Sequence, residues 1–232
     1  MSESRKELRR KRKQANIARY YRYIAALLII AGLAVVGFAG YQKIKFNYNQ
    51  AALRSDYETT AGFAHLNLEK KPETVIISEW KPIRLIIPKI NVDLITLSGD
   101  VYDRSLLEKG PVHFADIALS DNRYLAGDLP STEGGNVAFA GHRRDNIFID
   151  IDQLIKGDEI YLDVDGYRFI YLVEWQKVVD KYSWDELLTT NYSALTLQTC
   201  EPKYAINPYY RMYVRGALEQ VIIIPEETDE AD

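Results

Sequence analysis

Hydrophobic and polar positions divide the 232 residues into three regimes. Residues 24–40 read IAALLIIAGLAVVGFAG, 17 uncharged positions that reach the lower edge of a bilayer-spanning helix at a rise of about 1.5 Å per residue. Residues 41–79 are mixed and weakly patterned, which predicts a stalk, partly helical over 48–68. From Trp80 onward, short apolar runs are bounded by Gly, Pro and Asp, the punctuation of strands. Residues 83–87 and 90–97 are predicted as two strands broken at Pro88, and 136–140 as a third, framed by Gly134-Gly135 and Gly141. Residues 160–164 and 167–173 flank Asp165-Gly166, the signature of a tight hairpin. Residues 195–199 and 209–222 supply two more strands, separated by a loop over 201–208. Helical patterning is confined to 147–155 and 182–188 in this region. The expected fold is therefore mainly β, with seven to nine short strands. A closed or nearly closed barrel of about eight strands with short helices hides their edges, preceded by one N-terminal transmembrane helix.

Charge refines this division. Residues 1–23 carry nine Lys/Arg against Glu3 and Glu7, and removing these from the chain's 29 basic and 33 acidic residues leaves 20 against 31. The basic flank, with Tyr20, Tyr21 and Tyr23 before the apolar run and Tyr41 after it, fits an uncleaved anchor with its N-terminus in the cytoplasm. A cleavable leader ending near the small residues Gly37 and Ala39 is the competing reading. The acidic remainder argues against nucleic acid as a partner. The expected organisation is a basic cytoplasmic segment over 1–23, an anchor over 24–40, an extracellular stalk over 41–79, a barrel over 80–224 and a disordered acidic tail over 225–232.

The chain contains one cysteine, Cys200, at the end of an apolar run. A single thiol in an exported domain forms no internal disulfide, which leaves an incidental residue or a nucleophile. A thiol with an ordinary pKa of about 8.5 needs an adjacent imidazole or cation to act as a nucleophile. His142 follows a predicted strand, and two strand ends are neighbours in many barrels. Arg211 and Arg215 both fall on the last strand, and period-two alternation puts them on one face, so spacing leaves both open as oxyanion-binding residues.

Thr196-Leu197-Gln198-Thr199-Cys200 resembles the TLxTC signature of the sortases, membrane-anchored transpeptidases of mainly Gram-positive cell surfaces. Residues 135–143 (GNVAFAGHR) resemble the segment ending in the family's catalytic histidine, and 211–216 (RMYVRG) the segment opened by its catalytic arginine. Residues 110–114 (GPVHF) are similar to the family's GPGH-like turn, so the resemblance covers about 80–222. It implies a sortase-type barrel in which Cys200 attacks the Thr-Gly bond of an LPXTG-like sorting signal. An amine, such as that of a peptidoglycan precursor, would resolve the thioacyl-enzyme. Carried over by position, His142 is the general acid and base, and Arg211 rather than Arg215 holds the oxyanion. The main-chain amide of Glu201 is a second donor, while Thr199, His113 and Trp184 are substrate-site residues.

Residues 174–191 correspond by position to the family's specificity loop, with Trp175, Tyr182 and Trp184 as candidate groove residues. Residues 115–127 depart from the common pattern by their length. The absence of a second apolar span and of an Asp-Pro-aromatic lid motif points to the cell-wall-anchoring type. A pilin-polymerising enzyme using a protein lysine is one alternative, and a tethered non-catalytic binding barrel another. No cofactor is required. Calcium, which some members of the family use, finds Asp116, Asp121, Asp128 and Glu133 in a loose group that matches no defined loop.

Overall fold

The computed structural model describes residues 5–60, 74–115, 117–118, 124–125 and 127–224, in two compact units, Met1–Asn47 and Tyr48–Asp232. The acidic tail, residues 61–73 of the expected stalk, Asp116 and Asp121 lie outside the described residues.

A single helix, α1 (Arg5–Thr60), runs through the first unit and contains the whole apolar run. Leu28, Val36 and Phe38, within the apolar run, are all exposed. By length and composition it is a candidate membrane span.

Residues 48–60 of α1 belong to the second unit, where they do more than a stalk would. The Gln50 side chain pairs with both backbone groups of Ile95, accepting from its N–H (2.9 Å) and donating to its carbonyl (3.2 Å). It also donates to the Lys109 carbonyl (2.7 Å). Arg54 donates to the Asp93 carboxylate (3.0 Å), and Tyr57 packs against Ile95 and Leu53. Burial pushes the Tyr57 phenol up to about 12. Residues 74–79 also join this unit, because Val75 and Ile77 are buried and hydrogen-bond to Thr132 and Pro130.

Nine strands form one sheet: β1 (Arg84–Ile87), β2 (Val92–Ile95), β3 (Leu97–Gly99), β4 (Val112–Phe114), β7 (Gly135–Ala140), β8 (Glu159–Val164), β9 (Tyr167–Asp180), β10 (Ser193–Glu201) and β11 (Tyr210–Ile223). Their order is β2-β1-β8-β9-β11-β10-β7-β4-β3. The two edge strands, β2 and β3, are consecutive in the chain and separated by Thr96 alone. The sheet therefore curls until its edges meet at one residue, a nearly closed barrel. A short pair, β5 (Ile117–Ala118) and β6 (Tyr124–Leu125), lies in the long 115–127 insertion.

The hairpin forms at its expected place. Asp165 and Gly166 both take positive φ, 52° and 74°, as a primed two-residue turn requires. Three expectations differ from the structure. β9 continues to Asp180, seven residues past its expected end, because its ladder with β11 extends to Asp180 opposite Tyr210. Its polar residues Gln176 and Lys177 occupy a solvent-facing stretch of that ladder. Residues 147–155 and 182–188 form single 3₁₀ turns, Ile151–Gln153 and Asp185–Leu187, instead of helices. Neither turn has a side-chain cap, and the Glu186 and Leu188 carbonyls accept from Asn136 rather than from a following helical turn. The expected GPGH-like turn contains strand β4.

Candidate active site

β11 lies between β10 and β9, and its register decides what surrounds the thiol. Cys200 stands opposite Arg211, which in turn stands opposite Val179. Directly opposed residues in an antiparallel pair hold their Cβ atoms about 4.5–5.5 Å apart on one face. Along that face Gln198 is paired with Tyr213 and Thr196 with Arg215. This separates the two arginines that spacing left equivalent. Arg215 is buried, donates to the Glu186 carbonyl and lies 5.2 Å over the Trp175 ring. Arg211 stands at the open end, hydrogen-bonded to the Tyr210 and Pro208 carbonyls (3.0 and 3.3 Å).

β7 runs parallel to β10 on the other side, with Ala140 opposite Gln198. Two hydrogen bonds extend the pairing past the strand end: the Gly141 N–H donates to the Gln198 carbonyl (3.0 Å), and the Thr199 hydroxyl donates to the Gly141 carbonyl (2.7 Å). His142 is thereby delivered beside Cys200. Gly141 has no room for a side chain, since a Cβ there would strike the buried Phe148 ring. Burial first, and then the Arg144 and Arg104 cations, hold the His142 imidazole below its ordinary 6.5, while Glu108 opposes them. It is therefore a neutral imidazole at neutral pH.

Cys200, His142 and Arg211 line one cavity of about 350 Å³. Its walls include Val101, Tyr102 and Leu107, and Trp184 and Tyr182 from the segment after β9. Asp103 caps the single turn α2 (Arg104–Leu107), accepting from the Ser105 N–H (2.8 Å), and this fixes the wall. Asn136 anchors the opposite wall through the Glu186 and Leu188 carbonyls, and its own Oδ1 accepts from Thr196 (2.6 Å). Trp184 meets Tyr102 edge to face across the cavity, centroids 6.2 Å apart.

Of the remaining expected site residues, Thr199 lines the cavity and His113 does not. The Thr199 side chain is buried and committed to Gly141, so it holds the histidine strand. The Glu201 carboxylate pairs with buried Arg143, which also meets Asp152 (3.0 Å), so residues following His142 and Cys200 are tied together. His113 is buried away from the cavity, 2.8 Å from the Asp128 carbonyl and stacked on Trp80 (4.8 Å). Asp128 caps the Asn136 N–H (2.7 Å), and no group of metal-ligand side chains occurs among the described residues. Lys181 and Tyr102 also line the cavity, and Asn136 is a hub behind it, three residues that no motif of the sequence singles out. Lys181 directly follows β9, whose pairing with β11 runs to Asp180, beyond the strand that residues 167–173 predict.

Residues 85–219 match the Sortase domain family model. The chain is 29% identical to Sortase D of Bacillus subtilis, over 83% of this chain and 96% of that protein. It is 26% identical to Sortase A of Bacillus anthracis, over 80% and 89% respectively. The solved structure of Listeria monocytogenes sortase A superposes with a TM-score of 0.51 at 26% identity, covering 62% of this chain and 91% of that one.

Proposed function

The chain belongs to the sortase family, and from that premise we propose that it is a membrane-anchored cysteine transpeptidase. It cleaves an LPXTG-like sorting signal between Thr and Gly and transfers the acyl part to an amine of a cell-wall precursor. Its barrel would lie outside the cell. The observation that carries the assignment of roles is the register that sets Arg211 opposite Cys200, with His142 held at the adjoining strand end.

In the first half-reaction, neutral His142 takes the Cys200 proton as sulfur attacks the Thr carbonyl. The Arg211 guanidinium and the Glu201 main-chain amide stabilise the oxyanion. The intermediate collapses when imidazolium donates its proton to the departing Gly nitrogen, leaving a thioester on Cys200. The second half runs the same steps in reverse order. The incoming amine attacks, His142 takes its proton, and the thiolate leaves and is reprotonated. Incubation of the full chain with an LPXTG peptide and an amine acceptor tests this, with products separated by chromatography. Cleavage after Thr and an acceptor-dependent ligated product are expected. An intact peptide, or cleavage elsewhere, contradicts the assignment.

A further inference from the structure

The charged side chains lining the cavity are Lys181 and Arg211, and no Asp or Glu lines it. Arg104 and Arg144 add positive potential at His142, opposed by Glu108. This is a positive cleft in a domain whose sequence beyond the basic N-terminus is acidic, 31 acidic against 20 basic residues. A cleft of one sign concentrates ligands of the other.

The mechanism above uses Arg211 and leaves Lys181 without a role. Lys181 is nonetheless held in place. Its ammonium lies 4.9 Å from the ring centroids of both Tyr182 and Tyr209, and its N–H donates to the Tyr209 carbonyl (3.0 Å). Among the described residues no carboxylate pairs with it. Neighbouring Asp180 caps the Tyr182 N–H instead (2.9 Å). Cations held over aromatic faces keep their charge available to a further anion.

Strand order gives the reach. Cys200, Arg211 and Val179 stand in one row across β10, β11 and β9, and Lys181 lies two residues beyond Val179. Two strand spacings of about 4.8 Å, with a two-residue advance of about 6.6 Å along β9, place the Lys181 backbone roughly 12 Å from that of Cys200, a gap that the long lysine side chain shortens. An extended peptide advances about 3.3 Å per residue, so Lys181 meets a side chain two or three residues from the scissile carbonyl. The leaving segment must depart and the amine must approach, so the walled cavity holds the acyl side.

We propose that Lys181 makes this cavity select sorting signals with an acidic side chain two or three residues along the acyl side, counting the scissile Thr as the first. The inference rests on the sortase reading above and deepens it. Full-chain enzyme in detergent would be assayed with LPETG, LPQTG and LPKTG peptides. The wild type is expected to favour Glu over Gln about fivefold in kcat/KM and to disfavour Lys, as one partly screened charge pair provides. Lys181→Met should flatten this order and Lys181→Glu invert it. An order unchanged in Lys181→Met overturns the proposal.

Cys200 is the chain's sole cysteine, so a second measurement needs no sorting signal. The rate ratio for anionic iodoacetate over neutral iodoacetamide should fall about threefold in Lys181→Met. If the wild type cleaves no peptide, the sorting-signal reading fails separately and this ratio decides whether Lys181 presents an anion site. An unchanged ratio overturns it.

Discussion

Arg211 and Arg215 share a strand face and a residue type, yet their surroundings assign them opposite work. Arg211→Ala removes an oxyanion donor and should lower kcat/KM about 10²- to 10³-fold with little change in unfolding midpoint. Arg215→Ala removes a buried cation's hydrogen bond to the Glu186 carbonyl and its seat over Trp175, and should cost about 2 kcal/mol of stability. Paired kinetics and chemical denaturation check both, and a stability loss at Arg211 with none at Arg215 would reverse the assignment. The motifs made Cys200, His142 and Arg211 legible because each sits at a strand end with fixed spacing to its neighbours. The place of His113 outside the cavity was not legible, since a strand sequence does not reveal which face a side chain takes or what meets it from a distant segment. For His142, burial and two arginines hold the folded-state pKa below 6.5, so just below that pH the unfolded chain binds more protons. The stability contributed by its neutral form is complete above 6.5 and is lost as pH falls toward the folded-state value. Wild type should therefore lose stability relative to His142→Gln on acidification below 6.5, and parallel pH profiles for the two would contradict this.

Elements carry the site through their ends. β7 and β10 are held in parallel register, and the Gly141 bonds continue that register to His142. Gly141→Ala should displace Phe148 and lower activity together with stability, by about 2 kcal/mol, measured by denaturation. The C-terminal turns of α1 cover edge strand β2 through Gln50. Gln50→Ala would leave the Ile95 and Lys109 backbone groups without this partner and should cost about 1–3 kcal/mol in the full chain. An unchanged denaturation midpoint would show that water replaces Gln50 without loss. Hydrophobic alternation and the Asp-Gly turn revealed most strands. The docking of residues 48–60 was not legible, because the decisive contacts are one amide, one guanidinium and one phenol on an otherwise polar helix. The helical expectations at 147–155 and 182–188 failed for a related reason: Ile147, Phe148, Ile151, Leu154 and Leu187 are buried, and Asn136 takes the Glu186 and Leu188 carbonyls.

At the scale of the molecule, a nearly closed sheet brings two distant sequence regions together and a buried ion pair holds them there. Arg143 follows His142, Glu201 follows Cys200, and their pairing, with Asp152 and Lys203, joins the loops after both residues. Glu201→Gln removes one of the two carboxylates that face buried Arg143 and leaves Asp152, so it should cost about 1–3 kcal/mol, and replacing Arg143 and Glu201 together by apolar residues should cost less than the two single losses combined. Additive losses in that double-mutant cycle would contradict a coupled pair. The central claim is that this architecture makes Cys200 an acyl-forming nucleophile. Intact-mass spectrometry of the full chain, mixed briefly with an LPXTG peptide without an acceptor amine, tests it most directly. The account predicts a peptide-acyl adduct on wild type, discharged by hydroxylamine and absent from Cys200→Ala. An adduct that persists in Cys200→Ala, or no adduct in wild type while the peptide is cleaved, would contradict it.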